Sequence, residues 1–221
     1  HIESHGSFEK YIAAKFELAR GLLTSRKRPR KIIANVDDDH GKLFLSVPIE
    51  ERIPYSLKDA ELYTLKKDGA SIVLDGVTIR TPLVGLFNVY NALAAIACAR
   101  SFGISLKTCV SAFADLAPIS GRVEQFKSPK DAEKQITAVV DYAHTPDSLT
   151  QLYEAFPKMT KICIFGNTGG GRDTWKRPEM GRIAGEHCDS VILTNEDPYD
   201  ENPLAIVESM RHGVEDQTKV R

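Results

Sequence analysis

Residues 139–149 read Val139-Val140-Asp141-Tyr142-Ala143-His144-Thr145-Pro146-Asp147-Ser148-Leu149, and two opposite signals meet in this stretch. The apolar run 136–140 stops at Asp141, as a buried strand would. Thr145 is an N-cap residue type and Pro146 suits the first helical position, so a helix is predicted from there. A strand-to-helix turn carrying polar groups at the carboxyl end of a strand is where open α/β sheets bind ligands. Downstream the rhythm repeats. Strands are predicted over 136–141, 161–165 and 190–194, and helices over 146–156, 177–187 and 203–212. Such alternation argues for a parallel sheet with right-handed crossovers, with Val220-Arg221 as the start of a further strand.

Upstream, apolar residues at Phe8, Tyr11, Ile12, Ala19 and Leu22 or Leu23 recur with a 3.6 period, so 7–23 reads as an amphipathic helix capped by Ser7. A basic break (26–31) precedes a short strand, 31–36, which runs into the turn cluster Asp37-Asp38-Asp39-His40-Gly41. Residues 43–80 alternate in short runs, with turn signals at Gly69 and Gly76, and are read as antiparallel hairpins. Helices are predicted over 85–102 and 105–116. The stretch 118–124 (Pro-Ile-Ser-Gly-Arg-Val-Glu) reads as a linker. The fold class is therefore α/β, with one domain over 1–120 and a second over 121–221.

The chain has 221 residues, a formal net charge of −1 and 42% hydrophobic residues, enough for packed cores and no electrostatic reason for nucleic acid or a membrane surface as partner. The longest apolar run, 92–99, is far too short to span a bilayer, and no signal peptide opens the sequence. Cys98, Cys109, Cys163 and Cys188 form no Cys-x-x-Cys pair and read as buried, reduced thiols of a cytosolic protein.

Several polar constellations could carry chemistry. Asn88 and Asn91 lie three apart on one helix face, and an amide offers both donor and acceptor to an adenine edge. Arg122, at the boundary, could clamp phosphate. Asp141, at a strand end, could take ribose hydroxyls. His144 reads either as a ligand-side residue or as one that stabilises the turn. Gly166-Asn-Thr-Gly-Gly-Gly171-Arg172-Asp173 nearly copies P-loop spacing, but Arg172 stands at the lysine position and Asp173 at the hydroxyl position, where its charge would oppose phosphate. The loop lacks the dinucleotide fingerprint as well.

In order along residues 1 to about 203, these motifs resemble the Mur ligases, and among them the type that adds the third residue of the peptidoglycan stem peptide. The resemblance implies a partial central ATPase-like domain followed by an incomplete Rossmann-like parallel-sheet domain. It implies an ATP- and Mg²⁺-dependent amide ligase, cytoplasmic and monomeric, acting on a UDP-MurNAc-dipeptide and an amino acid through an acyl phosphate. By motif position, His1 would bind Mg²⁺ and Lys15 would supply metal oxygens as a carbamate. Asn88 and Asn91 would contact adenine, Arg122 would reach ATP from the hinge, and Asp141 would hold the ribose. Arg172 would hold the incoming amino acid, while Glu196, Asp197 and Tyr199 would read its side chain. The sequence departs from the family pattern at Gly171, where Asp is usual, and in Glu196-Asp197-Pro198-Tyr199, where diaminopimelate readers carry Asp-Asn-Pro-Arg. That exchange predicts a diamino acid without a distal carboxylate. A phosphate loop ending Gly-Lys-Thr and the family's Gly-Lys-Gly-His-Glu-like segment are absent, so the chain reads as an inactive fragment of a longer ligase. The alternatives are another Mur or folylpolyglutamate-type ligase of the same superfamily and a non-catalytic nucleotide-binding module.

Overall fold

A computed structural model of the chain describes residues 5–171 and 173–221. Contacts divide the chain into two units, Ile12–Val140 and Asp141–Arg221, the latter taking in also the stretch up to Tyr11. Helix α1 (Phe8–Arg20) runs across that division in the chain. Ser7 Oγ accepts the Lys10 N–H at 3.2 Å, the expected cap. The helix gives way to a 3₁₀ turn at Gly21–Thr24. No helix among the described residues is long and apolar enough to cross a membrane.

In the first unit, strand β1 (Lys31–Asn35) pairs in parallel with β2 (Glu51–Tyr55), joined through the short helix α2 (Gly41–Leu45). This corrects the expectation of hairpins from residue 43 onward. The cause is the aspartate cluster. Asp38 Oδ1 accepts the His40 N–H at 2.8 Å, and Gly41 lies so close to β1 that a Cβ there would sit 1.7 Å from the Asn35 carbonyl oxygen. The chain therefore folds back over its own strand and enters a helix. Phe44 of α2 meets Phe16 edge to face at 5.6 Å, over a core of Ala19, Ile32, Val47 and Ile49.

The hairpin reading holds further on. Strands β3 (Leu62–Lys66), β4 (Gly69–Leu74) and β5 (Val77–Thr81) form an antiparallel meander. Asp75 and Gly76, at φ +50° and +72°, make the two-residue turn whose positive dihedrals match strand twist. Helix α3 (Leu86–Ser101) buries Val89, Ala92 and Leu93 against Ala70 and Ile72, and α4 (Leu106–Ala114), capped by Ser105, adds Cys109 to Leu74, Ile79 and Ile96. Cys98 is exposed, two residues past buried Ile96 on α3, contrary to the buried-thiol expectation; Cys109, Cys163 and Cys188 are buried. All four are free thiols.

Strand β6 (Glu124–Lys127) begins inside the stretch read as a linker and pairs antiparallel with β7 (Thr137–Val140). The first strand of the expected parallel series is thus paired antiparallel instead, with a hairpin partner that the sequence reading missed, and the parallel pairing is seen for β8 and β9. The contact division falls after this hairpin, whereas the sequence reading assigns residues 121–140 to the second domain.

In the second unit, α5 (Pro146–Glu154), β8 (Ile162–Phe165), α6 (Lys176–His187), β9 (Ser190–Leu193) and α7 (Pro203–Arg211) alternate as expected, with β8 and β9 parallel. Val220 bridges Val191 in parallel, as the start of a further strand would. Thr145 caps α5 in a capping box with Ser148, and Pro146 opens the helix. The core gathers Leu149, Tyr153, Cys163, Met180, Ile183 and Val191. Helices α6 and α7 meet backbone to backbone, since a Cβ on Gly181 would lie 1.9 Å from the Met210 carbonyl oxygen. Gly181→Ala is therefore expected to destabilise the unit by about 1–3 kcal/mol, as overpacking does. In an open helix the same change stabilises by roughly 1 kcal/mol. Urea unfolding reads the sign.

Candidate functional site

Two loops at the carboxyl ends of β8 and β9 lie against each other. The Gly169 N–H donates to the Asp197 carbonyl at 2.8 Å. A Cβ on Gly169 would sit 2.1 Å from the Pro198 carbonyl oxygen, and one on Gly166 would sit 2.7 Å from that of Thr194. Only glycine permits this approach. Gly170 and Gly171 adopt φ +78° and +66°. Tyr199, at φ +53°, is 71% exposed, and its ring lies beside Gly170. Glu196 and Asp197 are exposed on the same turn. Of the expected amino-acid-contacting residues, Glu196, Asp197 and Tyr199 thus share the turn after β9 that packs against the glycine-rich loop. Arg172 lies outside the described residues.

The sequence reading missed what fastens these loops. Arg177 is buried and grips Glu201 with both guanidinium ends, Nη1 to Oε2 at 2.8 Å and Nη2 to Oε1 at 2.9 Å. Glu201 Oε1 also accepts the Gly171 N–H at 2.6 Å. Buried Asn167 accepts from Arg177 Nε at 3.4 Å. The Lys176-Arg177-Pro178 triplet was visible in the sequence, but its partner lies 24 residues further on. The Arg177 bond first, then the Gly171 N–H, holds the Glu201 carboxyl down at about 2 against an ordinary 4.5. A depressed carboxyl contributes stability above its unfolded value and loses it as pH falls toward the folded one. Melting midpoints of the parent and Glu201→Gln, followed from about pH 6 to about pH 2, should differ most above pH 4.5 and converge below it. A pH-independent difference would contradict this.

In the unit 12–140, Asn88 is buried near the start of α3. Its Nδ2 donates to the Val84 carbonyl at 2.8 Å and its Oδ1 accepts from Asn91 Nδ2 at 3.2 Å. Asn91 is exposed, so the amide presented outward is that of Asn91, oriented by Asn88. Arg122 is exposed on a tight turn, its N–H bonded to the Ile119 carbonyl at 3.1 Å. Glu124 closes that turn by accepting from Ser120 Oγ at 3.0 Å and the Gly121 N–H at 2.9 Å. Val123 holds φ +48°, an outlier for a β-branched residue. Lys15 is exposed on α1, and His1 lies outside the described residues. Among the described residues no three His, Cys, Asp or Glu side chains gather as a metal site.

Asp141 is half-buried, directly after β7. His144 Nδ1 lies 2.9 Å from the Tyr142 carbonyl oxygen, a bond within its own turn. An outward amide fits a heterocycle edge and a strand-end carboxylate fits a diol, so each group suits adenosine by its own chemistry.

The Mur ligase middle domain matches residues 1–99, and the Mur ligase glutamate ligase domain matches residues 121–221. The chain belongs to the Mur ligase family. The UDP-N-acetylmuramoyl-L-alanyl-D-glutamate--2,6-diaminopimelate ligase of Thermosynechococcus vestitus is 38% identical over 99% of this chain and 45% of its own length. A solved ligase of the same name is 29% identical with a TM-score of 0.54, covering 96% of this chain and 45% of that one. MurF from Acinetobacter baumannii shares the fold, with a TM-score of 0.75 at 20% identity over 98% of this chain and 46% of its own. This Mur ligase chain spans about half the length of the relatives it matches. In it, Lys15, Asn88 and Asn91 fall within the middle-domain match, and Arg122, Asp141, Glu196, Asp197 and Tyr199 within the glutamate-ligase match.

Proposed function

We propose that this chain is the adenosine- and amino-acid-binding part of a ligase that joins the third stem-peptide residue to a UDP-MurNAc-dipeptide. The reading is supported above all by 38% identity, over 99% of the chain, to a ligase named for that step. Asn91, oriented by Asn88, would take the adenine edge, Asp141 the ribose hydroxyls and Arg122 the phosphates. ATP, when bound, supplies the phosphoryl group that converts the nucleotide-peptide carboxylate into an acyl phosphate. Glu196, Asp197, Tyr199 and Arg172 would orient the amino acid so that its amine attacks that carbonyl, forming the amide as the C–O bond to phosphate breaks and inorganic phosphate and a proton leave, a step where positioning contributes most of the acceleration. Mg²⁺ would neutralise phosphate charge with His1 and carbamylated Lys15 as its protein ligands; the described residues gather no complete donor set for it. We place the enzyme in the cytoplasm, as a monomer. The test is phosphate release by the full-length protein. It should require a UDP-MurNAc-dipeptide and a diamino acid together; release with a pteroylglutamate and glutamate instead would favour the folylpolyglutamate alternative.

A further inference from the structure

We propose that Arg177 and Glu201 are positioning residues for the amino-acid substrate, a buried clasp that joins the glycine-rich loop and the Glu196–Glu201 turn into one surface. The inference rests on the ligase reading above. The loop 166–171 contains no helix or strand, and its glycines cannot fix its shape. Its backbone is instead held from outside. Gly169 donates to the Asp197 carbonyl at 2.8 Å and Gly171 to Glu201 Oε1 at 2.6 Å, while Arg177 Nη2 reaches the Thr168 carbonyl at 3.4 Å. Arg177 is the second residue of α6, and Glu201 lies just before Asn202, the cap of α7. The clasp therefore ties two helix starts together, with both substrate-facing loops between them.

Two features favour orientation over mere stability. A buried ion pair adds little net stability over apolar side chains of the same volume, because desolvation offsets most of its attraction, although removing one partner alone is costly. The Arg177 side chain is nonetheless only 6% exposed and spends its fork on one carboxylate, which in turn holds a loop N–H. The Gly171 N–H so held immediately precedes Arg172 in the chain, the residue assigned to the substrate. Lysine could keep the charge at 177 but not the bidentate fork or the reach to Thr168. Glutamine at 201 keeps the shape but removes the charge that engages both Arg177 and Gly171.

The test uses the full-length protein with Arg177→Lys and Glu201→Gln. Each is expected to raise KM for the amino acid by about tenfold or more, leave KM for ATP within about twofold, and lower kcat less. Amide hydrogen exchange should show Gly169 and Gly171 losing protection while amides of β8 and α6 keep theirs. If both variants leave the loop glycines as protected as in the parent, or shift all KM values together with a general loss of protection, the clasp is not a positioning device. Should the parent form no amide bond with any diamino acid, the ligase reading falls, and the exchange data alone still decide whether the clasp holds the loop.

Discussion

Replacing Lys15 by alanine in the full-length protein is expected to lower kcat/KM for the proposed ligation by about a hundredfold or more, and short carboxylates added to the assay should restore part of it. A metal that loses an oxygen ligand at a phosphoryl-transfer centre loses charge stabilisation of several kcal/mol, and each 1.4 kcal/mol is roughly tenfold in rate. Lys15 is exposed on α1, and a carbamate would turn its cation into a carboxylate that suits a hard divalent ion. Activity is not the sole readout. Labelled bicarbonate should give a carbamate resonance in the parent that is missing from Lys15→Ala. Full activity of the variant, or no carbamate in the parent, would remove Lys15 from the site.

Lysine is expected to outcompete meso-diaminopimelate by about tenfold or more in kcat/KM, roughly 1.4 kcal/mol. The relatives described above are named as diaminopimelate ligases, so this sets the chain apart from them. The turn itself carries no cation: its residues are Glu196, Asp197, Pro198, Tyr199, Asp200 and Glu201, and among the described residues the guanidinium bonded to it, that of Arg177, is buried and engaged by Glu201. Exposed Glu196 and Asp197 would repel a carboxylate and attract an ammonium. The Tyr199 ring, held beside Gly170, presents a face that can also receive a cation. Tyr199→Arg should move the preference toward diaminopimelate. A tenfold preference of the parent for diaminopimelate would overturn this account of the turn.

What could be read from the sequence was what is local. Thr145 and Pro146 announce α5 because a cap and a fixed φ act within one turn, and Asp75-Gly76 announces its hairpin for the same reason. The parallel pairing of β1 with β2 was not legible, because it depends on Gly41 passing under the Asn35 carbonyl, a contact no periodicity encodes. Strand β6 was hidden because its four residues, Glu-Gln-Phe-Lys, gain their strand character only from β7. At the site, the shared face of Asn88 and Asn91 followed from helical spacing. That Asn88 spends its Nδ2 on the Val84 carbonyl did not, because Val84 lies outside the helix, before its cap Gly85 at φ +95°. The Arg177–Glu201 clasp joins the starts of two helices and has no signature in either alone.

The central claim, ATP-driven formation of an amide on a UDP-MurNAc-dipeptide, is tested most directly by product analysis on the full-length protein. Incubation with ATP, Mg²⁺, UDP-MurNAc-dipeptide and lysine should yield UDP-MurNAc-tripeptide in step with released phosphate, and neither should form when the dipeptide or the amino acid is omitted. Phosphate released without tripeptide, or no turnover with any diamino acid, would contradict it.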